Sequence, residues 1–120
     1  MKRIQRTRRK MSRVMDELYT ALFLSGAQEI QMTVNREEEG YRLRLMADYD
    51  RQYRDRLEKL CRLLQPEERN PALVETYWEL TGGDPYSDES ELSLVGHMLD
   101  TASVTVSEDR VAMSLFMRYR

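Results

Sequence analysis

The sequence predicts an α/β (α+β) two-layer sandwich in which a mixed sheet is covered by helices on one face. Three observations predict it: a helical stripe of apolar residues at the start of the chain, two segments in which apolar and polar residues alternate around a short loop, and helical segments between them. In chain order these segments give αββαααββ. Hairpins and helices form two layers because each must bury its apolar side against another element.

The whole chain, 1–120, is expected to be a single domain, because 120 residues is an ordinary domain size. Hydrophobic residues make up 41% and charged residues 33%, which excludes a disordered chain of low hydrophobicity. No apolar run approaches the ~20 residues of a membrane span, so we expect no membrane contact. Cys61 is the single cysteine and cannot form an internal disulfide, which fits a reducing, cytoplasmic location.

The first helix is predicted from about Arg8 to Ser25, with an alternative start nearer Ile4 and with Gly26 just past its end. Residues 1–10 form a basic N-terminal arm with six Lys or Arg and no acid. This arm could contact phosphate or an acidic surface, or it could be a solvated helix start or pack on a second copy. We favour the latter two because no nucleic-acid motif accompanies it. The helical stripe consists of Ile4, Met11, Met15, Leu18 and Leu22.

Two hairpins are predicted from alternation with a period of two. In the first hairpin, the alternating segments flank the loop Arg36–Gly40, where Gly40 is expected to supply a positive φ. In the second hairpin, the alternating segments flank Ser107–Arg110 and the chain then runs to Tyr119. Each hairpin is expected to bury one face.

Three helices are predicted between the hairpins. The first of them contains Leu57, Leu60, Cys61 and Leu64 on its apolar stripe, with a solvated basic and acidic face opposite. The next begins at Asn70-Pro71, a cap followed by a favoured first position, and ends at Gly82-Gly83. The last begins in the acidic segment Asp84–Glu91, whose spacing resembles a capping box and fits no calcium loop.

The order of these elements and three local sequences resemble the ATP-binding (Bergerat) fold shared by sensor histidine kinases, gyrase B, Hsp90 and bacterial anti-sigma-factor kinases. In that family a helix carries an ExxxNAxxH-like box, a hairpin ends in DxGxG, and a GxGLxLV sequence starts the last helix. The matching text here begins at Glu17 (ELYTALFLSG), ends at Asp48 (LMAD) and begins at Leu92 (LSLVGHMLD). The resemblance implies that Asp48 stands where the family's aspartate bonds the adenine amine.

Most of the positions that this resemblance assigns to the nucleotide have lost the residue they need. Ala21 replaces the family's magnesium-binding asparagine, and a methyl group cannot coordinate a cation that prefers oxygen. The two glycines of the hairpin box become Asp50 and Gln52, which closes off backbone approach to a ligand. The last glycines become Glu89 and Glu91, and each carboxylate would repel a phosphate by roughly 3 kcal/mol before screening.

These losses predict a degenerate member of the fold: a non-catalytic regulatory or protein-interaction domain with no enzyme activity, cofactor or metal. We expect a protein partner, contacted through the first helix with its basic arm or near the vestigial pocket. The first helix could also form a homodimer with its own copy. The vestigial pocket positions are Glu17, Ala21, Asp48, Asp50, Gln52, Glu89 and Glu91.

Two alternatives stay open. The first is a divergent ATP-binding protein kinase of the anti-sigma type, with Glu17 as base and Asp48 at the adenine, and with its metal and phosphates held by residues that the motifs do not identify. The second is nucleic-acid binding through the basic arm. The net charge of −2 and the acidic segment argue against a broad nucleic-acid footprint.

Overall fold

The computed structural model describes residues 2–66, 69 and 89–119. Within these ranges the chain forms three α-helices, four β-strands and a short 3₁₀ turn. The helix predicted from Asn70 to Gly83 and the first part of the acidic segment lie outside the described residues. The helices are α1 (Lys2–Leu24), α2 (Arg54–Leu64) and α3 (Glu89–Met98); the strands are β1 (Ile30–Arg36), β2 (Gly40–Asp48), β3 (Thr101–Val106) and β4 (Arg110–Arg118); the 3₁₀ turn is Arg51–Tyr53.

The predicted fold class, an α+β two-layer sandwich with helices against one face of the sheet, is confirmed. The four strands lie in the order β1-β2-β4-β3. Every pairing among the described strands is antiparallel, so the prediction of a mixed sheet is wrong. The reason is that the second hairpin joins the first through β4. The connection through α2 and α3 therefore returns β3 parallel to β2, but one strand position away from it.

The alternation along the two central strands decides which face is buried. In β2 and β4, odd-numbered residues point toward the helices and all of them except the partly buried Tyr41 are buried, whereas even-numbered residues lie on the opposite face. Burying one Leu or Val side chain contributes about 1.5–3 kcal/mol, so these strands supply much of the driving force for folding. The buried residues of the two strands are Leu43, Leu45, Ala47, Val111, Met113, Leu115 and Met117.

Helix α1 starts earlier than the predicted Arg8, so residues 2–10 of the basic arm form its first turns. Its end is the predicted one. Gly26 has φ 85°, its N–H donates to the carbonyl of Phe23 at 3.1 Å, and the N–H of Ala27 donates to the carbonyl of Leu22 at 3.1 Å. This is a Schellman motif, which satisfies carbonyls that a helix end leaves open. The buried side of α1 consists of Thr7, Met11, Val14, Leu18 and Leu22.

The expectation that Gly40 supplies a positive φ is wrong. Among the described residues, only Gly26 has a positive φ. Gly40 begins β2 opposite Arg118, and a Cβ atom there would overlap the backbone carbonyl of Met117. Glycine is needed at this position because two strands approach closely, and not because of the loop conformation.

Candidate functional site

A cleft of about 370 Å³ opens between α1 and α2 on the helical side of the molecule. This volume lies in the range of small-molecule sites, roughly 300–1,000 Å³. On each helix the lining residues recur at i, i+3, i+4 and i+7, which is one face of an α-helix. The cleft is therefore the seam between two facing helices, with one residue of α3 at its end. Its lining residues are Glu17, Thr20, Ala21, Leu24, Ser25, Arg56, Lys59, Leu60, Leu63 and Leu92.

The two walls of the cleft differ in charge. The α1 wall carries Glu17, which forms an ion pair with Arg13 (Nε to Oε1, 3.7 Å). The α2 wall carries Arg56 and Lys59. Arg56 donates a hydrogen bond from Nη1 to the carbonyl of Leu24 at 3.3 Å, where a cation is favoured by the carbonyls at the end of α1. The cleft lining thus combines one acid and two cations with four leucine side chains.

Two of the sequence-predicted pocket residues meet in this cleft. Glu17 and Ala21 lie one turn apart on the α1 wall. The methyl group of Ala21 offers no ligand atom at the place where the resemblance would put a magnesium-binding side chain. Glu17 and Ala21 therefore line one cleft wall, and Ala21 contributes no oxygen or nitrogen atom from its side chain.

Asp48 does not line the cleft. It ends β2, and its Oδ1 atom accepts hydrogen bonds from the backbone N–H groups of Gln28 and Glu29, both at 2.9 Å. These two bonds, the one from Glu29 first, hold the pKa of the Asp48 carboxyl below its usual value. Asp48 therefore fastens the start of β1 to the end of β2.

Asp50 and Gln52 are also not among the described residues that line the cleft. Asp50 caps the 3₁₀ turn, because its Oδ1 accepts from the backbone N–H of Gln52 at 3.1 Å and its Oδ2 accepts from the Gln52 side chain at 3.1 Å. Glu89 begins α3 and Glu91 lies in its first turn. The side chains of Glu89 and Glu91 lie outside what the structure describes.

The sequence analysis missed the residues of the α2 wall. Arg56 and Lys59 belong to the predicted solvated face of α2 and are exposed, but the sequence analysis did not predict that they also line the cleft. Arg56, Lys59, Leu60 and Leu63 recur at helical spacing. This spacing indicates that the two basic residues share one side of α2 with the two leucines. The sequence of α2 alone does not predict that α1 lies opposite this side of the helix.

The side of α1 that points away from the sheet is unusually aromatic. Tyr19 is 52% exposed and Phe23 is 62% exposed, and their rings stack with centroids 6.3 Å apart. Exposed aromatic residues in such a pair are typical of contact surfaces. We call this side the α1 outer face; all its members are exposed, and they are Gln5, Arg8, Arg9, Ser12, Asp16, Tyr19 and Phe23.

In the part of the chain that the structure describes, no three His, Cys, Asp or Glu side chains are grouped as a metal ion would need. None of the described helices combines the length and the apolar character required to cross a membrane. No protein-family model matches this chain, and no curated protein or solved structure is significantly similar to it.

Proposed function

We propose that this chain is a non-catalytic regulatory or protein-interaction domain, built on a kinase-like ATPase fold whose nucleotide pocket has been lost. The observation that carries the proposal is the exposed pair of Tyr19 and Phe23 on the α1 outer face. Folding alone does not explain two large aromatic side chains that leave about half or more of their surface in water. Burying the two rings against another protein would remove their apolar surface from water, which is favourable.

The chemistry of the α1 outer face indicates the kind of partner. Arg8 and Arg9 lie on the same side of the helix as the two rings, about three to four turns toward the N-terminus. Aromatic residues and arginine are the residue types that dominate binding energy at protein interfaces. The α1 outer face would be complemented by a groove on a partner protein that accepts one helix face. The groove would be apolar where it meets the two rings and rich in carboxylates where it meets the arginines.

The loss of the nucleotide pocket rests on two residues. Ala21 places a methyl group on the cleft wall where a hard cation would need oxygen. Asp48 lies away from the cleft, and its Oδ1 is already occupied by two backbone N–H groups. An adenine placed in the cleft would not meet Asp48.

A thermal-shift titration with ATP and ADP, with and without magnesium, tests the loss of the pocket. A ligand at 100 times its Kd stabilises the folded state by about 2.7 kcal/mol, which is a rise of roughly 10 °C in Tm for a domain of this size. We expect no rise at millimolar nucleotide. A magnesium-dependent rise would refute the proposal.

Site-specific photo-crosslinking in the source cells tests the interaction surface. A photoreactive amino acid at Phe23 should capture one partner protein, and substitution of Tyr19 by Ser should reduce the yield severalfold. The control places the same group at Thr33, which is exposed on β1 on the other side of the molecule. Equal capture at both positions, or capture that does not respond to Tyr19→Ser, would contradict the assignment of this face.

A second candidate function is a divergent ATP-binding protein kinase. The specific observation in its favour is that Arg56 and Lys59 line the same cleft as Glu17. In this alternative the two cations would hold phosphate and Glu17 would act as base. It predicts a nucleotide-dependent rise in Tm that Lys59→Ala removes and that the exposed control Lys2→Ala leaves unchanged. Nucleic-acid binding through residues 2–10 stays an untested prediction.

A further inference from the structure

One face of the sheet carries none of the described helices. In β2 and β4 the odd-numbered residues point toward the helices, so the even-numbered residues form the opposite face. The side chain of Met46 on this opposite face is 52% exposed. We call it the outer sheet face; its members on the two central strands are Arg42, Arg44, Met46, Ala112, Ser114 and Phe116.

The outer sheet face is accessible on all four strands. Each strand places an exposed side chain on it; these are Thr33, Arg44, Ser103 and Ala112. The described residues on either side of residues 70–88 lie near the helices instead. Arg69 donates from Nη1 to the carbonyls of Leu64 and Gly96, which belong to α2 and α3. The chain therefore leaves and re-enters the described structure on the helical side of the sheet.

Phe116 and Arg42 form a fixed pair on the two central strands. The Arg42 guanidinium lies 4.9 Å from the centroid of the Phe116 ring. Its Nε donates to the Glu37 carboxylate at 2.9 Å, and its Nη1 donates to the Ser114 hydroxyl at 3.1 Å. These contacts hold the guanidinium beside the ring, and both side chains stay partly exposed. Because unpaired bases stack on aromatic rings and on arginine planes, the pair is a preformed stacking site.

The outer sheet face is more positive than the chain as a whole. The even-numbered residues of β2 and β4 include four arginines and one acid; they are Arg42, Arg44, Arg110, Arg118 and Asp48. The whole chain, by contrast, has a net charge of −2. Glutamates of the loop between β1 and β2 pair with Arg42 and Arg118, and Asp48 lies opposite Arg110 in the ladder. Arg44 is the arginine of this set that none of these acids pairs with.

Arg44 lies in the middle of the outer sheet face, between Thr33 on β1 and Ser114 on β4. Both neighbours are neutral, and within the described residues the exposed Arg44 side chain has no hydrogen bond or ion pair. A guanidinium binds phosphate oxygens in a bidentate manner. Phe116 is two residues beyond Ser114, so the phosphate-binding group and the stacking pair are about 7 Å apart along the strands.

We propose that the outer sheet face binds a short single strand of RNA, with bases stacked on Phe116 and Arg42 and a phosphate held by Arg44. The face measures about 14 Å both along and across the strands, which is room for two or three nucleotides. A footprint this short is compatible with the negative net charge of the chain. The site is separate from the α1 outer face and from residues 2–10, so the proposal does not rest on the proposed function.

The side chains of the two edge strands favour RNA over other occupants. Thr33 on β1 and Thr101, Ser103 and Thr105 on β3 place exposed hydroxyl groups beside the central strands. Such hydroxyls can bond the 2′-hydroxyl, the group by which proteins tell RNA from DNA. An acidic peptide would pair with arginine but has no base to stack on the ring. A second copy of the same face would bring arginines against arginines.

Fluorescence anisotropy with a labelled RNA of about eight nucleotides and mixed sequence tests the phosphate contact. Losing one contact lowers the slope of log K against log salt by about 0.7, which is about a fivefold loss of affinity at 0.1 M salt. We expect both effects for Arg44→Ala. The matched control, Arg8→Ala, removes the same charge from an exposed position on α1 and should change neither. Equal effects of the two variants would overturn the proposal.

Phe116→Val tests the stacking contact, because valine suits a strand but offers no ring. We expect affinity to fall at least fivefold with an unchanged salt slope, since stacking is lost and no charge is removed. The control Tyr19→Ser removes an exposed ring from α1 and should bind RNA like wild type. Circular dichroism checks that the variants fold. Wild-type affinity for Phe116→Val would overturn the proposal.

Ultraviolet crosslinking of the wild-type chain to the same RNA avoids any effect of substitution on folding. Mass spectrometry should place the crosslink on β2 or β4, and a crosslink confined to α1 would overturn the proposal. DNA of the same sequence should bind more weakly, and polyglutamate of equal charge should not displace the RNA. Equal binding of DNA, displacement by polyglutamate, or no RNA binding at about 200 µM protein would each contradict it.

Discussion

Replacing Asp48 with Asn tests whether this residue is a structural clamp or a free ligand-binding group. The substitution keeps an oxygen that can accept from the N–H groups of Gln28 and Glu29, but it removes the negative charge. If Asp48 serves mainly to fasten β1 to β2, the fold should lose stability. If it is a leftover binding residue, the substitution should cost little.

The magnitude follows from the two hydrogen bonds of 2.9 Å. A hydrogen bond to a charged group contributes about 1.5–3 kcal/mol where water is excluded. Both bonds of Asp48 are exposed to solvent, where a side chain that caps backbone N–H groups contributes about 0.5–2 kcal/mol. Because Asn keeps the acceptor and loses only the charge, we expect Asp48→Asn to lower the free energy of unfolding by about 1 kcal/mol at pH 7.

The loss should depend on pH in a defined direction. The pKa of Asp48 is lowered in the folded state from the ordinary value of 3.8, so its carboxylate binds protons less readily when folded than when unfolded. Its contribution is then fully present above that unfolded pKa and disappears as pH falls through the lower, folded pKa. The gap between wild type and Asp48→Asn should be constant well above pH 3.8 and should shrink as the pH falls below 3.8 toward the lower pKa of the folded state.

Urea unfolding at pH 7 and at pH 3, followed by circular dichroism, measures both quantities. The control is Asp109→Asn: Asp109 is exposed in the loop between β3 and β4 and, within the described residues, has no hydrogen bond or ion pair. This control should stay within about 0.5 kcal/mol of wild type. A loss for Asp48→Asn that is equal at both pH values, or that is absent at pH 7, would refute the reasoning.

Three further predictions concern the core and the end of α1. Leu18→Ala should lower the free energy of unfolding in urea by about 2–5 kcal/mol, since Leu18 is fully buried. Leu24→Ala on the same helix should lower it by under about 1 kcal/mol, since Leu24 is 55% exposed. Similar losses for the two variants would contradict the orientation of α1. Gly26→Ala should lower Tm, because a left-handed φ costs about 1–2 kcal/mol and a Cβ would crowd Asp50, and an unchanged Tm would refute this. Burial raises the pKa of the Cys61 thiol, so a thiol reagent should modify Cys61 readily only after unfolding in urea, and rapid modification of the native chain would contradict its burial.

The local pattern of the sequence was sufficient for the elements and their buried sides. The stripe of α1, the end of that helix at Gly26 and the alternation in both hairpins are all decided by neighbours within a few residues. The predicted apolar stripe of α2 is confirmed for the same reason: Leu57, Cys61 and Leu64 are buried. A period of 3.6 or of 2 determines which side of an element is apolar, and an apolar side must be covered.

The arrangement of the strands could not be predicted in the same way. Both edges of the first hairpin can accept a strand, and either strand of the second hairpin can supply it. The choice of β4 beside β2 depends on how α2 and α3 cross the sheet, and this involves residues far apart in the chain. The motif-based expectation of a mixed sheet is wrong here for that reason.

The candidate site likewise has features that the sequence predicts and features that depend on the tertiary structure. The sequence by itself determined that Glu17 and Ala21 lie one turn apart on α1, because helical spacing is a local property. Only the tertiary structure decided that Arg56 of α2 lines the same cleft as Glu17 and that the Asp48 carboxylate accepts from the backbone just before β1. These contacts join separate elements, and their partners are chosen by packing of the whole core and not by any pattern within one segment.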